Sequence, residues 1–396
     1  MDFFERAMKI LLCNYEYPPL GGGGGVVMAA LARELARRHS VTVLTSGGLG
    51  LPAESLDGAA RVLRVPVFFR RKLAVANVPS MLAYPPMAAL RGLSLGRGLD
   101  VINTHFVVPS GPAGHLLARL FRVPNVLSVH GGDLYDPSKA TSPHRHAWLR
   151  LPIRRLLEKA DAVVGQSRNT LEHVAGIYGV GRKTELIPLG IDPPPAVARA
   201  TRGDFGLPEK AFVMVTVGRV VARKATVRLV EALHAMRRPD AHLLVVGDGP
   251  DAEAVRQAAA ESNLAERVHV VGQVSDERKY QALGIADVFV STSQHEGFGL
   301  VFLEAMAMGL PVVCYDHGGQ TDFLTSGRTG FVVRLNDLEA FVTAIQTLYD
   351  QPQLAGEMAD FNRRLVQEYL IGRCAERYER VFEEAIEFRG GKRAIA

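Results

Sequence analysis

Short apolar runs rich in Val, Ile and Leu recur along this chain, each followed by a stretch of helical periodicity. That alternation restricts the fold to parallel sheets covered by helices. The first series reads KILLCN, SVTVLTS, RVLRVPVF, DVINTHF, NVLSVHG, DAVVGQS and ELIPLG. A second series starts afresh with FVMVTVG, HLLVVGDG, VHVVGQV, DVFVSTS, PVVCYD and GFVV. Between them GIDPPPAVARATRGD carries three consecutive prolines, which neither continue a helix nor sit in a central strand. With 396 residues the chain exceeds one ordinary core, so the expectation is an α/β protein of two domains, 1–195 and 196–370. A final segment, 371–396, holds apolar residues at helical intervals and needs a surface to lie on.

The 46 Lys and Arg against 41 Asp and Glu leave a net charge of +5, a modest excess that suits anionic ligands or an acidic lipid surface and demands neither. Cys13, Cys314 and Cys374 are odd in number, far apart and lack metal-ligand spacing, which reads as reduced thiols in the cytoplasm. The apolar run near the N-terminus is too short for a signal peptide, and residues before Met8 read as a non-structural extension. No apolar run is long enough to span a bilayer.

The stretch QHEGFGLVFLEAMAMG sets Glu296 and Glu304 eight residues apart, with a loose beginning and a helical end. A helix starting at Phe298 or Gly299 would separate the two carboxylates by about 12 Å, roughly the span of a diphosphate with a sugar on each side. Its free N–H groups and positive dipole end, around Phe298, Gly299, Leu300 and Val301, form a phosphate cradle. Gly297 and Gly299 let the backbone approach closely. Each carboxylate then accepts hydrogen bonds from one sugar's hydroxyls. A solvated Glu304 is disfavoured by its small, apolar neighbours.

In VTVGRVVARKAT a strand ends at Gly218 and delivers Arg219 and Lys224 into a strand-to-helix loop, where the two are either solvated loop cations or the groups that neutralise a diphosphate leaving group. The turn VVGDGPD at Gly247 lacks the third glycine of a dinucleotide fingerprint, and so does GGGGGVV, which contains Gly22, Gly23 and Gly24. The latter reads as a flexible backbone loop facing a cleft. In SVHGGDLY, His130 and Asp133 follow a strand, and His130 is either a structural histidine or a hydrogen-bonding partner of a sugar. SPHRHAW, with His144 and His146, reads as a loop with no third metal ligand.

Together these motifs resemble the retaining, nucleotide-sugar-dependent glycosyltransferases of family 4, also called group 1, over nearly the whole chain. The run EGFGLVFLEAMAMGLPVVCYDHGGQTDFLTSGRTGFVV is the most specific part, resembling the family's donor signature. The resemblance implies two facing Rossmann-like domains of the GT-B type, the first taking the acceptor and the second the donor, with the last helix crossing back to the first. Carried over by position, Arg219 and Lys224 grip the donor diphosphate, Glu304 the ribose and Glu296 the transferred sugar. His130 contacts that sugar from the facing domain, Gly22 to Gly24 and Asp133 border the acceptor, and the loop at Gly272 borders the base. Ala225 and Asp322 depart from the family's usual glycine and glutamate.

The implied reaction is retaining transfer of a hexose-type sugar from a nucleoside diphosphate to an acceptor hydroxyl in glycan, glycolipid or polysaccharide synthesis, with no metal or other cofactor. An epimerase on the same fold and a non-enzymatic nucleotide-sugar binder are the alternatives. A dehydrogenase lacks its fingerprint, and no nucleic-acid partner is expected. The segment Val67 to Gly98 mixes aromatics, Leu, Met and cations without acids, so it is either a core helix with a basic rim or a contact to an anionic membrane that holds a lipid-linked acceptor. The expected location is cytoplasmic, with peripheral contact at the inner face of a membrane.

Overall fold

The computed structural model describes residues 7–395 except 69, 71–72, 74–75, 97 and 138–140. All but Ala7 of the extension expected before Met8 lies outside the described residues. The chain divides into two compact units, one formed by residues 1–192 with 370–396 and the other by 193–369.

In the first unit the elements run β1 (Lys9–Asn14), α1 (Gly23–Leu35), β2 (Ser40–Ser46), β3 (Glu54–Asp57), β4 (Ala60–Val65), α2 (Val78–Leu93), β5 (Val101–His105), α3 (Gly111–Phe121), β6 (Asn125–Val129), α4 (Ala147–Lys159), β7 (Ala162–Gly165), α5 (Arg168–Tyr178) and β8 (Thr184–Leu186). The strand order is β3-β4-β2-β1-β5-β6-β7-β8. Every neighbour pair is parallel except β3 with β4. The sequence reading lacks β3, a short polar edge strand, ESLD, with no buried residue to mark it. The strands after β1 run in opposite directions along the sheet, and right-handed crossovers therefore put α1 on one face and α2 to α5 on the other. Consistent with this, α2 packs on α3, α3 on α4 and α4 on α5.

Local chemistry starts and stops these helices. Asn77 and Ser80 form a reciprocal capping box at the head of α2, and Ser167 caps α5 by accepting from the Thr170 N–H. Gly179, with φ +70°, ends α5 in the left-handed conformation. The core beneath α2 and α3 gathers Leu11, Tyr15, Leu44, Tyr84, Ala113 and Leu117.

The second unit contains β9 (Phe212–Val217), α6 (Val227–Met236), β10 (Ala241–Val246), α7 (Ala252–Glu261), β11 (Val268–Gly272), α8 (Asp276–Gly284), β12 (Val288–Ser291), α9 (Leu300–Ala307), β13 (Val312–Tyr315), β14 (Gly330–Val333), α10 (Leu338–Asp350) and α11 (Pro352–Leu365). Its sheet is parallel throughout, in the order β11-β10-β9-β12-β13-β14. Central β10 is buried at every position, as a strand covered on both faces must be.

The terminal helix α12 (Ile371–Ile395) belongs to the first unit, as the amphipathic tail requires, and lies on α1 and β6. Tyr378 and Phe382 are buried there. The buried Glu379 carboxylate accepts from Arg38 at 2.8 Å and pairs with His39 at 2.9 Å, stapling the helix to the end of α1.

Candidate functional site

In the second unit the carboxyl ends of β9 and β12 bring the expected residues together. Gly218 turns the chain out of β9 at φ +138°, and a recess just beyond is lined by Gly218, Arg219, Lys224, Thr226 and Ser291. The glycines of VVGDGPD explain how this loop is held. A Cβ on Gly247 would lie 1.9 Å from the Gly218 carbonyl oxygen, and one on Gly249 2.1 Å from that of Val220. These glycines let two loops touch backbone to backbone, and Val220 N–H donates to the Asp248 carbonyl at 3.0 Å. Gly247 N–H also donates to the Gly272 carbonyl at 2.9 Å, which joins the third loop to the set.

Helix α9 begins at Leu300, one residue later than the latest start expected. Gly299, at φ +96°, cannot be helical and forms the cap instead. Glu296 therefore sits in the loop ahead of the helix while Glu304 lies on it, so the estimate of about 12 Å for a continuous helix does not describe the pair. The Glu296 backbone is pinned by Gly319 N–H, which donates to its carbonyl at 2.8 Å, and Gly318 passes so close that a Cβ would lie 2.2 Å from the same oxygen. Phe298 is buried, and Gly297, Leu300 and Val301 are partly exposed around the helix start.

The two carboxylates have opposite electrostatics. Glu296 is 5% exposed; Lys224 Nζ donates to its Oε1, and Arg223 Nη1 lies 3.2 Å from its Oε2. Burial pushes the carboxyl up, yet the Lys224 and Arg223 charges outweigh it and bring the pKa to about 2. Glu304 Oε1 accepts from Lys279 Nζ at 2.8 Å, and Lys279 also lies 3.1 Å from Asp276 Oδ1. Here burial wins, holding the Glu304 carboxyl above its usual range despite Lys279. Arg219 is exposed and makes no ion pair among the described residues.

Arg223 and Lys279 were both missed by sequence reasoning. Arg223 stands beside Lys224 in ARK and carried a signal, since adjacent cations in a loop at a strand's carboxyl end share its surroundings. Lys279 lies on α8, 25 positions before Glu304, and only the packing of α8 beside α9 pairs them.

In the first unit His130 follows β6 and is buried. Its Nε2 lies 3.0 Å from His105 Nδ1, its Nδ1 3.2 Å from Gln166 Oε1, and its ring stacks on Phe106 at 4.3 Å. Burial lowers its pKa to about 4, so the ring is neutral near pH 7. Asp133 bonds to backbone: its two carboxylate oxygens accept from His130 N–H at 2.9 Å and Val107 N–H at 2.7 Å, which ties the HGGD turn to the loop after β5. Burial raises its pKa to about 6. The glycine run corrects the expectation of a flexible loop: Gly23, Gly24 and Gly25 form the first turn of α1, and only Gly21 and Gly22 precede it. Gly24 is needed for space, because a Cβ would lie 2.5 Å from the Phe106 ring, and Gly22 N–H donates to Glu16 Oε2 at 3.1 Å. His144 accepts or donates at Ser142 Oγ, 2.8 Å away, and packs on Tyr135, in a loop with a single short helical turn.

Residues 21–194 match the family model for Glycosyltransferase Family 4, and residues 197–365 match the model for Glycosyl transferases group 1. A GDP-mannose-dependent alpha-(1-6)-phosphatidylinositol monomannoside mannosyltransferase of Mycolicibacterium smegmatis is 31% identical over 88% of this chain and 91% of its own. An N-acetyl-alpha-D-glucosaminyl L-malate synthase of Bacillus anthracis is 26% identical over 96% of this chain and 98% of its own. Among solved structures, a sucrose-phosphate synthase of Thermosynechococcus elongatus superposes with a TM-score of 0.80 at 25% identity, covering 96% of this chain and 99% of that one. The Anabaena protein HepE, crystallised with UDP, reaches 0.75 at 19% identity, covering 95% and 100%, and so shares the fold. With two doubly wound sheets, parallel but for the edge strand β3, a terminal helix returned to the first unit and a relative matched over most of both chains, this chain belongs to the family 4, group 1 glycosyltransferases, enzymes of the GT-B fold that use nucleotide-sugar donors.

Proposed function

We propose that this glycosyltransferase moves a hexose-type sugar from a nucleoside diphosphate to a hydroxyl of a sugar or lipid-linked acceptor, with retained anomeric configuration, from the cytoplasmic side of a membrane. The observation that carries the reading is the asymmetry of the cations in the second unit. Lys224 and Arg223 are engaged by the buried Glu296, while Arg219, exposed at the same recess, has no ion-pair partner among the described residues. A site built this way has one unneutralised fork for a diphosphate and a fixed carboxylate to accept sugar hydroxyls.

In this reading Arg219, Lys224 and the N–H groups at the head of α9 stabilise the departing diphosphate, the largest electrostatic contribution, and no metal is assigned to that task. The Glu304 carboxylate accepts from the ribose and Glu296 from the transferred sugar. Neutral His130 serves as a hydrogen-bonding group and not as a charge. The mannosyltransferase relative makes GDP-mannose the first donor to try.

The test is a thermal-shift screen against UDP, GDP, ADP and their sugar conjugates, since a ligand that binds only the folded state raises its apparent stability. A shift with one nucleotide that is lost in Glu304→Ala is the expected result; no shift with any of them overturns the donor assignment. Retention is read from the anomeric proton of the product by NMR, and an inverted linkage removes that part. Conversion of the donor sugar with no acceptor present would favour the epimerase.

A further inference from the structure

Lys279 and Glu304 each stand one turn into a helix, Lys279 on α8 and Glu304 on α9, and each side chain keeps 16% exposure. Helix α8 starts from the loop after β11, where Ser275 caps it by accepting from the Arg278 N–H at 3.2 Å. Gly272 opens that loop at φ +75°, and a Cβ there would meet nothing within 4 Å, so open space adjoins the loop expected to border the base.

Neither member of the ion pair uses its full hydrogen-bonding capacity. The Lys279 ammonium carries three N–H donors. One goes to Glu304 Oε1 at 2.8 Å, and a second faces Asp276 Oδ1 at 3.1 Å. The third meets no oxygen among the described residues, and the face of the Tyr280 ring lies 4.8 Å from Nζ. Glu304 Oε2 likewise accepts no hydrogen bond among the described residues. Burial by itself lowers the Lys279 pKa, but the Glu304 and then the Asp276 charges outweigh it, so the side chain keeps all three donors. A charged donor and a carboxylate oxygen thus stand side by side, both spare and both partly exposed.

A carboxylate accepts and donates nothing, so it reads only the O–H of a hydroxyl; an ammonium donates and accepts nothing, so it reads only the oxygen lone pair. Two adjacent hydroxyls offer both at once. We infer that Lys279 is a second ribose-binding residue of the donor site, donating its third N–H to one hydroxyl of the vicinal 2′,3′ pair while Glu304 Oε2 accepts from the other. The inference rests on the proposed role of Glu304 and gives that residue a partner. The ion pair fixes the rotation of the carboxylate through Oε1, leaves Oε2 for the ligand, and adds the donor that an acid lacks. A nucleotide without one of the two hydroxyls leaves a charged group unpaired, so the site selects ribonucleoside over deoxyribonucleoside diphosphates.

Calorimetric titration of the full chain with GDP, 2′-deoxy-GDP and 3′-deoxy-GDP tests this, with UDP or ADP and their deoxy forms used instead where the thermal-shift screen selects that base. The reading for each variant is a penalty, the Kd of the deoxy form divided by that of the ribonucleotide, which a loss of overall stability does not move. In the wild type each missing hydroxyl should raise Kd about tenfold or more, as for a hydrogen bond to a charged group. Lys279→Met should bring one penalty to about twofold or less, and Glu304→Gln the other. The Lys279→Met/Glu304→Gln double variant strands no charge and should show neither penalty; compared with Glu304→Gln alone, it carries the test if Lys279→Met does not fold. Both penalties intact in Lys279→Met, with one removed by Glu304→Gln, would make Lys279 a staple only and overturn the inference while the ribose role of Glu304 stands. Both penalties intact in Glu304→Gln would overturn the ribose assignment and the inference with it. Equal binding of all three nucleotides by the wild type, or binding of none, does the same.

Discussion

Replacing Lys279 by Met isolates the ion pair that sequence reading missed. At 2.8 Å two unit charges attract by roughly 6 kcal/mol at an effective dielectric of about 20. Desolvation of both ions cancels much of that, and removing one partner of a buried pair costs about 3–5 kcal/mol because the other is stranded. Each side chain here keeps 16% exposure, so we expect the lower end, about 3 kcal/mol, at pH 8. The cost must depend on pH. Burial raises the folded-state pKa of Glu304 above its ordinary 4.5, so its contribution is fully favourable below the unfolded value and is lost as pH rises through the folded one. Without Lys279 the folded pKa moves further up and the loss grows. Below that pKa the protonated carboxyl strands no charge, and the cost of the substitution falls to about 1 kcal/mol. Urea unfolding of wild type and Lys279→Met between about pH 5 and pH 8 reads this directly, through the transition of the unit that holds α9. A stability difference that is flat with pH refutes the reasoning. So does a Lys279→Met/Glu304→Gln double variant no more stable at pH 8 than Lys279→Met alone.

The other predictions separate catalysis from scaffolding. Arg219→Ala should lower kcat by about 10²-fold or more while leaving the unfolding transition in place, since the side chain is exposed and forms no ion pair among the described residues; steady-state transfer assays with denaturation curves check both. Lys224→Ala should lower turnover too, but also stability, by about 2–3 kcal/mol, because Arg223 is then the one described cation left beside Glu296. Gly247→Ala puts a methyl 1.9 Å from the Gly218 carbonyl at a φ of +142°, and should destabilise by about 3 kcal/mol and weaken nucleotide binding; unchanged binding by calorimetry counts against the backbone contact as the support of the Arg219 loop. Ala225 has φ +47°, and Ala225→Gly should stabilise by about 0.5–1 kcal/mol in thermal unfolding as the left-handed strain is relieved.

The sequence by itself determined the architecture. Thirteen of the fourteen strands coincide with apolar runs legible in the chain, because strands covered on both faces must be apolar at nearly every position. The edge strand β3 was hidden, since a half-solvated polar strand has no such pattern. The prolines at 193–195 begin the second compact unit, and the run from Glu296 to Gly309 lies within the stretch that matches the group 1 family model. Tertiary structure decided what touches what. Lys279 meets Glu304 and Arg223 meets Glu296 across 25 and 73 positions, separations over which sequence holds no distance information. The same holds for the glycines of VVGDGPD, whose spacing does not disclose the two backbones that touch through the room they leave. The composition of Val67 to Gly98 offered a core helix or a surface one, but not that α3 and α4 would stand beside α2 with apolar side chains also exposed. Only the order of the strands beneath them, fixed by nonlocal pairing, put the three helices on one face.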